Sequence, residues 1–158
     1  MTPEEAAQAL YAVMPRAISR EVLEEYGIEA AEDQVRDLTR EVLSLNLYWV
    51  RAAIDAHIPR RYRVVLFDRL VQLIQQDWET FHQHDKPWAH YLTEFNERES
   101  VYRPIGNEPG GDLAVAREAG TILEDQATVS AEDRAKVFAF LLDHVPLDRY
   151  GEILGAEG

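Results

Sequence analysis

The stretch DWETFHQHDKPWAHY, residues 77 to 91, gathers three histidines, three acids and two tryptophans. Histidine and carboxylate side chains build zinc and iron sites and carry protons near neutral pH. Glu79 and His82 stand three apart, so on a helix they share one face. Di-iron carboxylate bundles use that Glu-x-x-His pair twice and add a glutamate from each of two other helices. This chain has no second Glu-x-x-His. On a helix His82 and His84 would diverge by about 200° and could not chelate one ion. On an extended segment they would point the same way with Asp85 beside them, and two histidines with a carboxylate suit zinc. The metal-ligating candidates are therefore Glu79, His82, His84 and Asp85. Against them stands a plainer reading, a helix C-terminus whose dipole favours histidine, followed by a new helix opening at Pro87. No cofactor is expected.

A second candidate is HIPRRYR, which sets Arg60, Arg61 and Arg63 where a long helix begins, just after His57. Cations at a helix N-terminus oppose its dipole unless an anion or an acidic partner offsets them. In ERESVYR, Arg98 and Tyr102 sit among charges that could line a pocket, while Glu99 and Arg103 have the spacing of a surface ion pair. Arg60, Arg61, Arg63 and Arg98 are thus the candidates for binding an anion or a partner. Solvent-reaching or internally paired arginines are the competing reading. Ser19, Ser44, Ser100 and Ser130 fall in or at the caps of helices, so none forms a strand-to-helix nucleophile elbow.

The elements that must position these groups are all helices. Thr2-Pro3 with Glu5 opens a helix over 3–14, Pro15 breaks it, and a second runs over 16–26 to Gly27. Over 31–57, Val35, Leu38, Val42, Leu45, Trp49, Ala52 and Ala56 recur at alternating spacings of three and four. Leu43, Leu47, Val50 and Ile54 add a second stripe, so this helix is central and contacted on two sides. A second long helix covers 61–82, and another starts at Pro87. RPIGNEPGGD, about 103–112, reads as the one irregular connection. Asp112 caps a helix over 113–125, and Ser130 with Asp133 opens the next at capping-box spacing. Tyr48, Trp49, Trp78, Trp88, Tyr91 and Tyr102 are expected to meet in one aromatic region. The fold class is all-α, a single-domain bundle of six or seven helices around two long antiparallel ones.

Composition narrows the function. The 158 residues carry 16 basic and 29 acidic side chains, a net charge of −13, and no cysteine. Thiolate metal sites, iron–sulfur clusters, disulfides and thiol nucleophiles are excluded. Residues 1–41 hold 10 acids against 4 bases and residues 105–158 hold 11 against 4, whereas residues 42–79 hold 4 against 5. Such a chain is not expected to bind nucleic acid or an anionic membrane directly, because phosphate contacts need basic surface. No apolar run is long enough to span a bilayer. The expectation is a cytoplasmic, acidic interaction or regulatory protein (an adaptor, small chaperone or inhibitor) without catalytic activity. It engages a protein partner or associates with itself as a dimer. The alternative is a helical enzyme or sensor that binds a small anion or a metal ion.

Overall fold

A computed structural model describes residues 1–81 and 86–155. Among them no strand forms, and seven helices of nine residues or more build an all-α bundle. Helix α1 (Pro3–Val13) opens as its sequence dictates. The Thr2 hydroxyl accepts from the Glu5 amide at 3.1 Å and the Glu5 carboxylate accepts from the Thr2 amide at 3.2 Å. The following helix does not resume at residue 16. Ile18 is buried and its amide donates to the Thr39 hydroxyl at 3.2 Å, which holds the chain extended up to Ser19. Ser19 then caps the short α2 (Arg20–Glu25), and Gly27, at φ +76°, turns the chain out of it.

Helix α3 (Glu32–His57) is the axis of the molecule, and its two apolar stripes serve two separate cores. Leu43, Leu47, Val50 and Ile54 enter a first cluster with Leu10, Phe67, Leu70, Tyr91 and Tyr150. Leu38, Val42, Leu45 and Tyr48 enter a second with Leu23, Tyr102, Val115, Leu123 and Phe140. The expected aromatic region is divided accordingly. Trp78, Trp88 and Tyr91 pack together in the first core, and Tyr48, Trp49 and Tyr102 in the second.

Helix α4 (Arg60–Gln76) lies along α1 and stops six residues short of the sequence expectation. The break falls at Asp77, whose carboxylate accepts the Tyr11 hydroxyl at 2.8 Å. A single turn, α5 (Trp78–Phe81), follows, and the Trp78 indole donates to the Lys86 carbonyl at 2.9 Å. Helix α6 (Trp88–Gly106) is correspondingly longer than expected, because it runs through Pro104 and shrinks the irregular connection to residues 107–110. Close backbone approach explains the glycines there. A Cβ on Gly106 would lie 2.0 Å from the Tyr48 hydroxyl oxygen, and one on Gly111 would lie 2.3 Å from the Gly106 carbonyl oxygen.

Helix α7 (Gly111–Asp125) begins two residues earlier than an Asp112 cap would place it. Gly110 supplies the left-handed entry at φ +72°, and Asp112 sits inside the first turn. The chain then passes a 3₁₀ turn at Ala131–Asp133 into α8 (Arg134–Asp143), and the last described element is α9 (Leu147–Gly155). Gly111→Ala should therefore destabilise the fold by about 2–3 kcal/mol, since backbone rather than a movable side chain opposes the new methyl. Gly120→Ala is the matched control: nothing stands within 4 Å of its Cβ position. It should be neutral or stabilise by up to about 1 kcal/mol. Denaturant midpoints of the two variants check the contrast.

Candidate functional site

Between the two cores, α3 presents polar groups where its neighbours are aliphatic. Glu41 falls three residues after Leu38 and four before Leu45, on the inward side, and is 2% exposed. From α6, the Arg98 Nε donates to both Glu41 oxygens, at 2.9 and 3.2 Å, and the Tyr102 hydroxyl donates to Oε2. Arg98 also faces Glu94 across 3.7 Å, and Glu94 holds Arg40 at 3.4 Å and Lys86 at 3.1 Å. A second polar contact joins the same two helices, the Ser44 and Tyr91 hydroxyls at 3.0 Å. Burial pushes the Glu41 carboxyl above the ordinary carboxylate range, against the pull of the Arg98 charge and the two donors. Burial likewise drives the Tyr102 hydroxyl well up, and the neighbouring carboxylate adds to it. Perturbed groups of this kind mark active sites when a cleft admits substrate. Here the carboxylate is enclosed by its own arginine and tyrosine, so the arrangement pins α3 to α6.

A second buried polar group docks the C-terminus. The Asn46 amide, 0% exposed, donates to the carbonyls of Val42 at 2.8 Å and His144 at 2.9 Å, and accepts the Tyr150 hydroxyl at 2.5 Å.

The opposite character appears on α4. Tyr62, Val64 and Val65 are 42%, 69% and 58% exposed, three large apolar side chains within four positions. On one side of this ridge a cleft of about 370 Å³ runs between α1 and α4, lined by Met1, Pro3, Ala6, Ile58, Tyr62 and Leu66. On the other, a smaller one of about 110 Å³ lies between α3 and α4, with Arg51, Asp55, Arg63 and Phe67 on its walls. Arg60 and Arg61 are exposed at the start of the ridge, and the Arg61 guanidinium lies 4.7 Å from the Tyr62 ring centroid. Arg63 turns back, its Nε donating to the Ile58 carbonyl at 2.8 Å. The helix start is Pro59, with no side-chain cap and no acid in the first turn.

No family model, curated protein or solved structure matches this chain.

The four arginines named from the sequence thus divide. Arg60, Arg61 and Arg63 gather at the head of α4 as their spacing suggests, but Arg98 is spent inside the fold on Glu41. Of the metal candidates, Glu79 is exposed on α5, and His82, His84 and Asp85 lie outside the described residues. Among the described residues no three histidine, aspartate or glutamate side chains are arranged to hold an ion. The Glu99–Arg103 pair forms at 3.0 Å, and Glu99 also receives Arg51 from α3. Sequence reasoning passed over Glu41, Arg40 and Asn46, and took Tyr91 for an aromatic core residue without its bond to Ser44. The signal for Glu41 and Asn46 was present: each stands within an apolar stripe at a position whose neighbours three and four away are buried aliphatics.

Proposed function

We propose that this protein is a non-catalytic interaction module that docks a partner protein on the ridge and clefts of α4. The observation that carries this reading is the run Tyr62, Val64, Val65, exposed together on a helix whose other face is fully committed to the first core. Single exposed apolar residues are ordinary, but a contiguous set beside an apolar cleft is the usual mark of an interaction surface. The polar groups with the most perturbed chemistry support the same reading, because they are sealed between helices and offer no substrate an approach. No helix among the described residues is long and apolar enough to cross a membrane, so this face is not part of such a span.

A photo-reactive amino acid placed at Val65 should give discrete crosslinked partner bands, and one at Ala135, exposed on α8, should not. Val64→Asp combined with Val65→Asp should abolish the crosslinks formed from a third probe at Tyr62 while leaving the thermal midpoint within about 2 °C, as surface changes do. Equal crosslinking from Val65 and Ala135, or crosslinks untouched by the double aspartate variant, would remove the ridge as the docking face.

A further inference from the structure

We propose that the segment received by the α4 ridge is an acidic amphipathic helix, its apolar stripe on Tyr62, Val64 and Val65 and its carboxylates on Arg60 and Arg61. This rests on the reading of α4 as a docking face and adds the chemistry of what docks there. The argument is one of charge. In a chain with 29 acids and 16 bases most cations find carboxylates: Arg51, Arg69, Arg98, Arg103 and Arg134 all stand in ion pairs. Arg60, Arg61 and Arg63 are the exception as a group, because no carboxylate among the described residues lies within 4.0 Å of any of them. They stand together on the first turn of a helix that has no side-chain cap. There the dipole and the exposed amides also favour negative charge. An acid at the first turn would relieve that end, and α4 has none in that turn; Asp55 and Asp68 stand with Arg63 on the wall of the α3–α4 cleft but beyond ion-pair distance.

The shape of the ridge points to a helix as occupant. Tyr62 lines the α1–α4 cleft and Val65 stands one turn on from it, while Val64, about 100° round the helix from Val65, lines the α3–α4 cleft. An apolar surface with a cleft on each side matches the helix-in-groove mode, in which anchors at i, i+3, i+4 and i+7 enter a groove. A second copy of this chain fits less well. A symmetric pairing through α4 would set the same arginines against each other and bring together two chains of −13. Nucleic acid fits poorly because three arginines stand alone on an acidic protein. A short acidic segment avoids most of the long-range repulsion, since charges beyond about 8 Å are largely screened at physiological salt.

The test uses the full chain and two synthetic fluorescein-labelled helical peptides of about 15 residues, the length at which an isolated helix becomes marginally stable. Both carry leucine at i, i+3, i+4 and i+7; one has glutamate on the flanks of that stripe and its twin has lysine. In fluorescence anisotropy the glutamate peptide should bind at least about tenfold more tightly than the lysine twin, a difference near 1.4 kcal/mol. Arg60→Glu with Arg61→Glu should reverse that order, and Val64→Asp with Val65→Asp should remove binding of both. Equal affinity of the twins, no response of the glutamate peptide, or a preference unmoved by the charge reversal overturns the proposal. A dimer in light scattering that the double aspartate variant disperses also overturns it, assigning the face to a second copy. Failure here is separable from failure of the docking reading. If Val65 crosslinks a partner that the glutamate peptide does not displace, the ridge stands and the acidic occupant falls.

Discussion

Arg98→Leu is expected to destabilise the fold by about 3–5 kcal/mol, the range found when one member of a buried ion pair is removed. The pair is enclosed, with Glu41 at 2% and Arg98 at 8% exposure, so neither charge can retreat to water. In a domain of this size the loss corresponds to a fall in Tm of roughly 6–20 °C. The deficit should also depend on pH, with a definite sign. Burial already holds the Glu41 carboxyl above its ordinary value in the folded chain, and losing the guanidinium pushes it higher still. A folded state whose carboxyl titrates above the unfolded one binds more protons. Its stability is therefore greatest below the ordinary carboxylate range and falls as pH rises through that range toward the folded value. Arg98→Leu should accordingly lie closer to the parent protein at about pH 5 than at about pH 8 in urea unfolding. A deficit that is constant, or larger at the acidic end, would argue that the arginine acts through packing alone. Glu41→Gln added to Arg98→Leu should recover much of the loss, since the amide can still accept from Tyr102 and carries no charge.

Asn46→Ala should be the next most damaging single change, at about 2–4 kcal/mol, because it leaves buried partners unsatisfied. The His144 carbonyl loses its amide donor, and the Tyr150 hydroxyl loses its acceptor inside the first core. The damage should be local before it is global, since the Tyr150 bond ties α9 to α3 and the His144 bond ties the end of α8, just ahead of it, to the same residue. Hydrogen exchange in α9 should accelerate while amides in the middle of α3 keep their protection, and proteolysis near Arg149 should quicken. Tyr150→Phe, which removes one hydroxyl and keeps the ring, should lose roughly half as much. Unchanged exchange in α9 together with a midpoint shift under about 0.5 kcal/mol would mean that apolar packing alone seats that helix.

The parts of the fold that could be read from the sequence are those set by period and by caps. Leu43, Leu47, Val50 and Ile54 beside Leu38, Val42 and Leu45 announce a helix contacted on two sides, and α3 has one core on each. Thr2 and Gly27 mark helix ends through local chemistry alone. What escaped was decided by contacts distant in sequence. The break at Asp77 is drawn by Tyr11, 66 residues away, and the continuation of α6 through Pro104 goes with glycines that let Tyr48 and a neighbouring backbone come close. No window of sequence contains those partners. The same holds for the sites. The three arginines at the head of α4 are a local cluster and were visible as one. The fate of Arg98 was set by Glu41, 57 positions earlier, and could be seen only once α3 and α6 were laid together.

The burial of Glu41 has one more consequence, for how the bundle chooses among its alternatives. A helix greasy on two sides offers its neighbours many nearly equivalent seats, since aliphatic side chains slide past one another at little cost. The carboxylate accepts at one place only, from an arginine and a tyrosine four residues apart on α6. Were α6 to slip by one helical turn, about 5.4 Å, the aliphatic contacts could largely re-form, but two opposite charges would be stranded in the dry interior. The ion pair thus acts as a key in a slot. Whatever it adds to the depth of the native well, it raises the floor of the wells on either side.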